Sequence, residues 1–128
     1  MRGAAGVAAG LVAWIAIASV CNFVLRVSWP EYAAVEKAMT FALGMLVARL
    51  LFGALASIGA GIAVARVAKR NRIASASLVV LLLAMFIPAH YMLWDKFPAW
   101  YHLVFLVSLV LCPLLGTMLI SRTRWQPA

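Results

Sequence analysis

Residues 39–65 read MTFALGMLVARLLFGALASIGAGIAVA, with Arg49 as the only charged side chain among them. A bilayer crossing needs about 20 mostly apolar residues, so this run is long enough to span. An arginine near the middle of such a helix costs roughly 2.5–3.5 kcal/mol on insertion scales, whereas each Leu, Ile, Phe or Val returns roughly 0.3–0.6 kcal/mol. Eleven of those residues lie in the run, so insertion is favoured despite the charge. The chain is thereby committed to lipid. With 67% hydrophobic and only 11% charged residues, it carries about half the charge density of a soluble domain. Its 128 residues are read as a single integral membrane domain.

Three further apolar runs complete the pattern. The first covers 4–25, the third 73–94 and the fourth 99–120, with 39–65 as the second. The tripeptide Ala16-Ile17-Ala18 has the form of a signal-peptidase site, but the apolar run continues through Val20, Phe23 and Leu25, so it is read as a span. Pro30 followed by Glu31 marks a helix start, giving a short interfacial stretch to about Lys37 before the second span, with Trp29 and Tyr32 at the water–lipid boundary. Pro88 and Pro113 are expected to kink their helices. The fold expected is all-α, a four-helix transmembrane bundle with short loops.

The net charge of +8 would suggest nucleic acid in a soluble protein; here the cations flank apolar segments, so anionic lipid headgroups are the expected counter-charge and no nucleic acid is expected. Arg2, Arg66, Lys69, Arg70, Arg72, Arg122 and Arg124 fall on one side of the four-span topology. Arg26, Lys37 and Lys96 fall on the other, beside Glu31, Glu36 and Asp95. The bias predicts both termini in the cytoplasm. Cys21 and Cys112 should differ in depth by roughly 10 Å, too far for a disulfide.

Gly6 and Gly10 form a GxxxG on the first helix, and Gly53 shares the Arg49 face of the second with Met45, Ala56 and Ala60. Such small residues let helix backbones approach closely, within the bundle or across a dimer. Arg49 has two readings: a structural arginine bonded by its neighbours, or an anion site or gate. Measured from segment centres, Asn22, His90 and His102 sit roughly 9–12 Å toward the outer side, and Arg49 roughly 4 Å. A polar cluster of Arg49, Asn22, His90 and His102 is therefore expected, if the helix rotations allow it. The two histidines alone make an incomplete zinc site, so no metal or other cofactor is expected.

The turn between the last two spans is the least random stretch. It reads Trp94-Asp95-Lys96-Phe97-Pro98-Ala99-Trp100-Tyr101-His102-Leu103-Val104-Phe105, with Tyr91, Trp94, Phe97, Trp100 and Tyr101 as an interfacial aromatic belt around Asp95 and Lys96. In these dozen residues the chain resembles a group of small four-span bacterial inner-membrane proteins that share a Trp-x-Lys-Phe-Pro-x-Trp-Tyr-His-Leu-x-Phe hairpin. The resemblance implies location and topology, and no activity, since none is established for that group. The acidic first-span residue of small multidrug exporters, the CxxC of quinone-linked disulfide enzymes and the first-span signature of fluoride channels are missing.

No nucleotide loop or nucleophile–base pair stands in the sequence, so the chain is not expected to be an enzyme. The expected function is that of an accessory or interaction module, whose partners are membrane lipid and a second membrane protein or a second copy of itself. The alternative is a small transporter or channel subunit with a polar pathway for an anion or protons. A redox component binding quinone or haem at the outer cluster is a third reading.

Overall fold

The computed structural model describes residues 2–69 and 71–123, the side chains of 121–123 excepted. Arg70, Arg124 and the remainder of the basic tail, with the side chain of Arg122, lie outside the described residues. The described chain folds into five helices and no strand: α1 (Arg2–Ser28), α2 (Pro30–Val35), α3 (Leu43–Val67), α4 (Arg72–Met92) and α5 (Ala99–Thr123). Four of them, α1, α3, α4 and α5, are long and apolar enough to cross a membrane. The fold is an all-α four-helix bundle with α2 as a short appendage.

Local chemistry sets most boundaries. Pro30 opens α2 at its first position, where a missing N–H costs nothing. Residues 36–39 then turn, and Met39 adopts a left-handed φ of 57° that no helix can continue through. Consequently α3 begins at Leu43, four residues after the start expected from hydropathy alone. Lys69, at φ 50°, terminates α3 in the same manner. Asn71 caps α4, its side-chain oxygen accepting from the backbone N–H groups of Ile73 (2.9 Å) and Ala74 (3.3 Å).

The most extensive contacts join α3 to α5 and α3 to α1; α4 packs against α5 and α1 and only lightly against α3. Around the bundle the order is therefore α1, α3, α5, α4, and the sequence neighbours α3 and α4 stand on a diagonal. The α1 stripe Gly6, Gly10, Trp14, Cys21 and Leu25 is buried at helical spacing. A Cβ on Gly6 would lie 2.6 Å from the Ala68 side chain, and one on Gly10 would strike Val64, so these glycines bring α1 against α3 within one chain. Between α3 and α5 the approach is closer still. A Cβ on Gly61 would collide with the Pro113 carbonyl, and one on Gly116 with the Ile58 carbonyl.

Ala56, Ala60, Val64, Leu78, Leu82 and Leu109 form a fully buried core in the half of the bundle nearest the α3–α4 turn. Large apolar side chains nevertheless cover the outside, among them Val20 (62% exposed), Phe23 (64%), Leu51 (65%), Val80 (64%) and Leu103 (60%). Such a surface is tolerable in lipid and not in water, while helices satisfy their backbone polar groups internally. The protein is a multi-pass membrane protein.

The glycine contacts give a graded test. Gly61→Val is expected to destabilise the bundle by about 1–3 kcal/mol or more, because the obstacle is backbone. Gly44→Ala, which meets only the Trp29 ring at 3.7 Å, should change stability by less than about 1 kcal/mol. Reversible unfolding in mixed micelles measures both.

Candidate functional site

Arg49 sits one turn and a half into α3, on the face that also buries Met45, Gly53, Ala56 and Ala60. This face turns into the bundle, and the Arg49 side chain is half-buried there. The protein supplies its acceptors. Arg49 Nη1 donates to the Tyr32 hydroxyl at 2.7 Å and Nε to the Tyr101 hydroxyl at 3.2 Å. Its Cζ lies 4.7 Å from the centroid of the Phe41 ring, a cation–π contact.

An aromatic stack holds those acceptors in place. Tyr32 stacks on Phe41 (5.1 Å, 22°), Phe41 on Phe97 (6.0 Å, 5°), and Phe97 packs on Tyr101 (4.8 Å). Tyr32 is completely buried and Tyr101 nearly so. Tyr32 is thus enclosed by protein. The stack also explains why the chain unwinds at 36–42: Phe41 must turn inward between Tyr32 and Phe97.

Beside the guanidinium lies a cavity of about 220 Å³. Asn22 and Leu25 of α1, Arg49 and Phe52 of α3, Phe86 of α4 and Tyr101 and Phe105 of α5 line it, with Trp14, Ala18 and Gly53. Trp14, Phe86 and Phe105 are in ring contact with one another in sequence (4.8 and 5.3 Å) and close the side toward the core. Trp14 Nε1 donates to Ser57 Oγ (3.0 Å), which donates to the Gly53 carbonyl (2.8 Å), so this wall is anchored to α3.

The structure divides the four expected cluster residues into two pairs. Asn22 and Arg49 share the cavity; His90 and His102 are not among its lining residues. The histidines face each other, Nδ1 to Nδ1, at 2.6 Å. His102 Nε2 lies 3.3 Å from the Trp94 carbonyl, which can only accept. In the neutral pair His102 Nδ1 is therefore the acceptor and His90 Nδ1 the donor. Tyr101 and Phe105 pack against His90, at 6.1 and 4.6 Å between rings, and stand between the two pairs. No group of three or more metal-ligating side chains gathers among the described residues.

The aromatic hairpin splits by face. Trp94 and Trp100 are 50% and 40% exposed, and Asp95 and Lys96 are exposed with them, whereas Phe97 and Tyr101 point inward. Gly53 stands against Phe105, where an added Cβ would lie 3.1 Å from the ring. Cys21 is buried and Cys112 half-buried, both as free thiols.

No ion pair reaches Arg49 among the described residues. Glu36, the carboxylate closest to it in sequence, is engaged by Arg26, which donates from Nε (2.7 Å) and Nη2 (2.6 Å) to its two oxygens. Those hydrogen bonds, more than the charge itself, hold the Glu36 carboxyl below its ordinary range, against a smaller opposing effect of desolvation. The contact ties the end of α1 to the segment after α2; the Arg49 charge also acts on Glu36, more weakly and at a distance, and makes no hydrogen bond or ion pair with it.

Tyr32→Phe is expected to lower stability by about 1–3 kcal/mol, since it strips an acceptor from a half-buried cation. Tyr101→Phe, at the longer bond, should cost less, and Tyr91→Phe, at an 82% exposed position, nothing measurable. Unfolding midpoints of the three variants check the order. A carboxylate with a depressed pKa stabilises at neutral pH and ceases to as pH falls through its lowered value. Thermal stability should therefore decline on acidification below the ordinary carboxylate range, with a flatter dependence in Glu36→Gln. Comparison of the chain with protein-family models, with curated proteins and with solved structures finds no match.

Proposed function

We propose that this chain is a non-enzymatic membrane module that works by binding, with the Arg49 cavity as its receptor site. The single observation that carries the reading is a guanidinium that lines a cavity, given phenol and ring partners but no carboxylate in hydrogen-bond or ion-pair contact among the described residues. A purely structural arginine would be expected to have its charge matched, because an unmatched one in a low-dielectric site is expensive. The unmatched charge is accounted for if the counter-charge comes from outside the chain.

The same geometry argues against a conduit. Below the wall of Trp14, Phe86 and Phe105 the bundle is closed by Ala56, Ala60, Val64, Leu78, Leu82 and Leu109, all fully buried and apolar. A conducting route needs polar or wet lining along its length, and here an apolar layer separates the Arg49 cavity from the polar groups Ser75 and Thr117 near the α3–α4 turn, which bond to each other and to helix carbonyls. The hairpin resemblance and the excess of cations at the opposite end support a bacterial inner membrane, both termini cytoplasmic, and the cavity toward the outer face. The partners of such a module are lipid and either a second membrane protein or a second copy of the chain.

Proteoliposomes carrying the purified chain are expected to leak chloride and protons no faster than protein-free vesicles. Conduction that disappears in Arg49→Gln would replace the binding reading with transport.

A further inference from the structure

We infer that the Arg49 cavity takes a small amphipathic monocarboxylate, its carboxylate on Arg49 and Asn22 and its apolar body against the Trp14, Phe86 and Phe105 rings. The inference rests on the binding reading above and names the ligand chemistry. A guanidinium has five N–H donors in a planar fork. Arg49 directs two of them to Tyr32 and Tyr101, from Nη1 and Nε. The three that are left include both on Nη2. Asn22 of α1 also lines the cavity, and its carboxamide can add N–H donors there. Tyr101, which accepts from Arg49, has its own O–H to give. The polar corner is therefore rich in donors and calls for an acceptor.

Charge narrows the class. One guanidinium with no carboxylate opposite it is neutralised by one negative charge. A neutral acceptor such as a ketone or quinone would leave the cation without a contacting anion, and a dianion would bring an excess charge beside the ring walls. Carboxylates also match the guanidinium fork in shape. Size narrows it further. At about 220 Å³ the cavity is below the usual range of drug-sized pockets, roughly 300–1,000 Å³. It suits a body of about one ring or a short alkyl chain. The remaining walls are the ring faces and the Leu25, Phe52, Ala18 and Gly53 surfaces, which reward an apolar body and offer a hydrated inorganic anion nothing. The carboxylate could arrive on a water-borne acid or as the head of a membrane fatty acid, the two sharing one chemistry.

The test is equilibrium dialysis of radiolabelled benzoate against the full chain in phosphatidylcholine nanodiscs, corrected by empty nanodiscs. Saturable binding is expected, and benzyl alcohol, the neutral counterpart, should not compete. Arg49→Gln should weaken binding by at least about tenfold. Ala18→Phe should do the same by filling the cavity, while leaving every Arg49 hydrogen bond in place, so that a folding defect of the arginine variant does not decide the matter. Palmitate competing more strongly than benzoate would identify a membrane acid as the source, and weaker competition a water-borne one; either supports the assignment. Absence of saturable binding by both acids, binding undiminished in Ala18→Phe, or inorganic phosphate competing as well as benzoate would overturn it. Failed binding in vesicles that do not conduct removes the ligand class alone. Conduction removes the module reading whatever the acids do.

Discussion

A half-buried cation inside a bundle must be solvated largely by protein, and here that requirement shapes much of what lies near the 93–98 turn. Arg49 lies on the most heavily packed helix, on the face that α3 presents to its neighbours. Two phenols and a phenyl ring close around it. Each of those groups comes from a different segment: Tyr32 from α2, Phe41 from the irregular stretch, Tyr101 from α5. The charge therefore gathers three pieces of chain that hydropathy alone would leave independent. The charge adds to what the Tyr32–Phe41–Phe97 stack and the apolar contacts of Tyr32 with Leu25 and Met45 already favour.

The cavity follows from an asymmetry in side-chain size along the bundle. Near the α3–α4 turn, Gly6, Gly10, Gly61 and Gly116 sit at the helix crossings, and backbones come into direct contact. Toward the other end, Trp14, Phe52, Phe86, Tyr101 and Phe105 occupy the equivalent levels. Small residues draw helices together and rings hold them apart. Rigid rings also fill space less completely than a mixed aliphatic core, so the gap opens where the aromatic residues cluster and where Arg49 and Asn22 project. Close packing at one end thus goes with a cavity at the other.

Much of this was legible beforehand, for identifiable reasons. Hydropathy reveals spans because lipid is unforgiving, and the four apolar runs became the four long helices. The small-residue face around Arg49 could be read because 3.6-residue periodicity survives any tertiary detail. The partners of Arg49 could not. They depend on the rotation of α5 and on a left-handed Met39, neither of which leaves a mark in composition. One signal was present: Phe97, Tyr101, Phe105 and Leu109 recur every four residues, a buried stripe that carries a phenol to the level of the arginine. Depth alone placed the histidines with Arg49, but rotation turned them toward each other instead.

The diagonal placement of α3 and α4 bears on how such a chain is made. Because α3 finds its broadest packing surface on α5, the latest of these helices to leave the ribosome, its Gly61 groove has no occupant during most of synthesis. The early hairpin of α3 and α4 is held mainly by a tight connection and hardly by mutual contact. The α1–α3 pair, closed by Gly6 and Gly10, can form early, and the groove at Gly61 is filled last, when α5 docks.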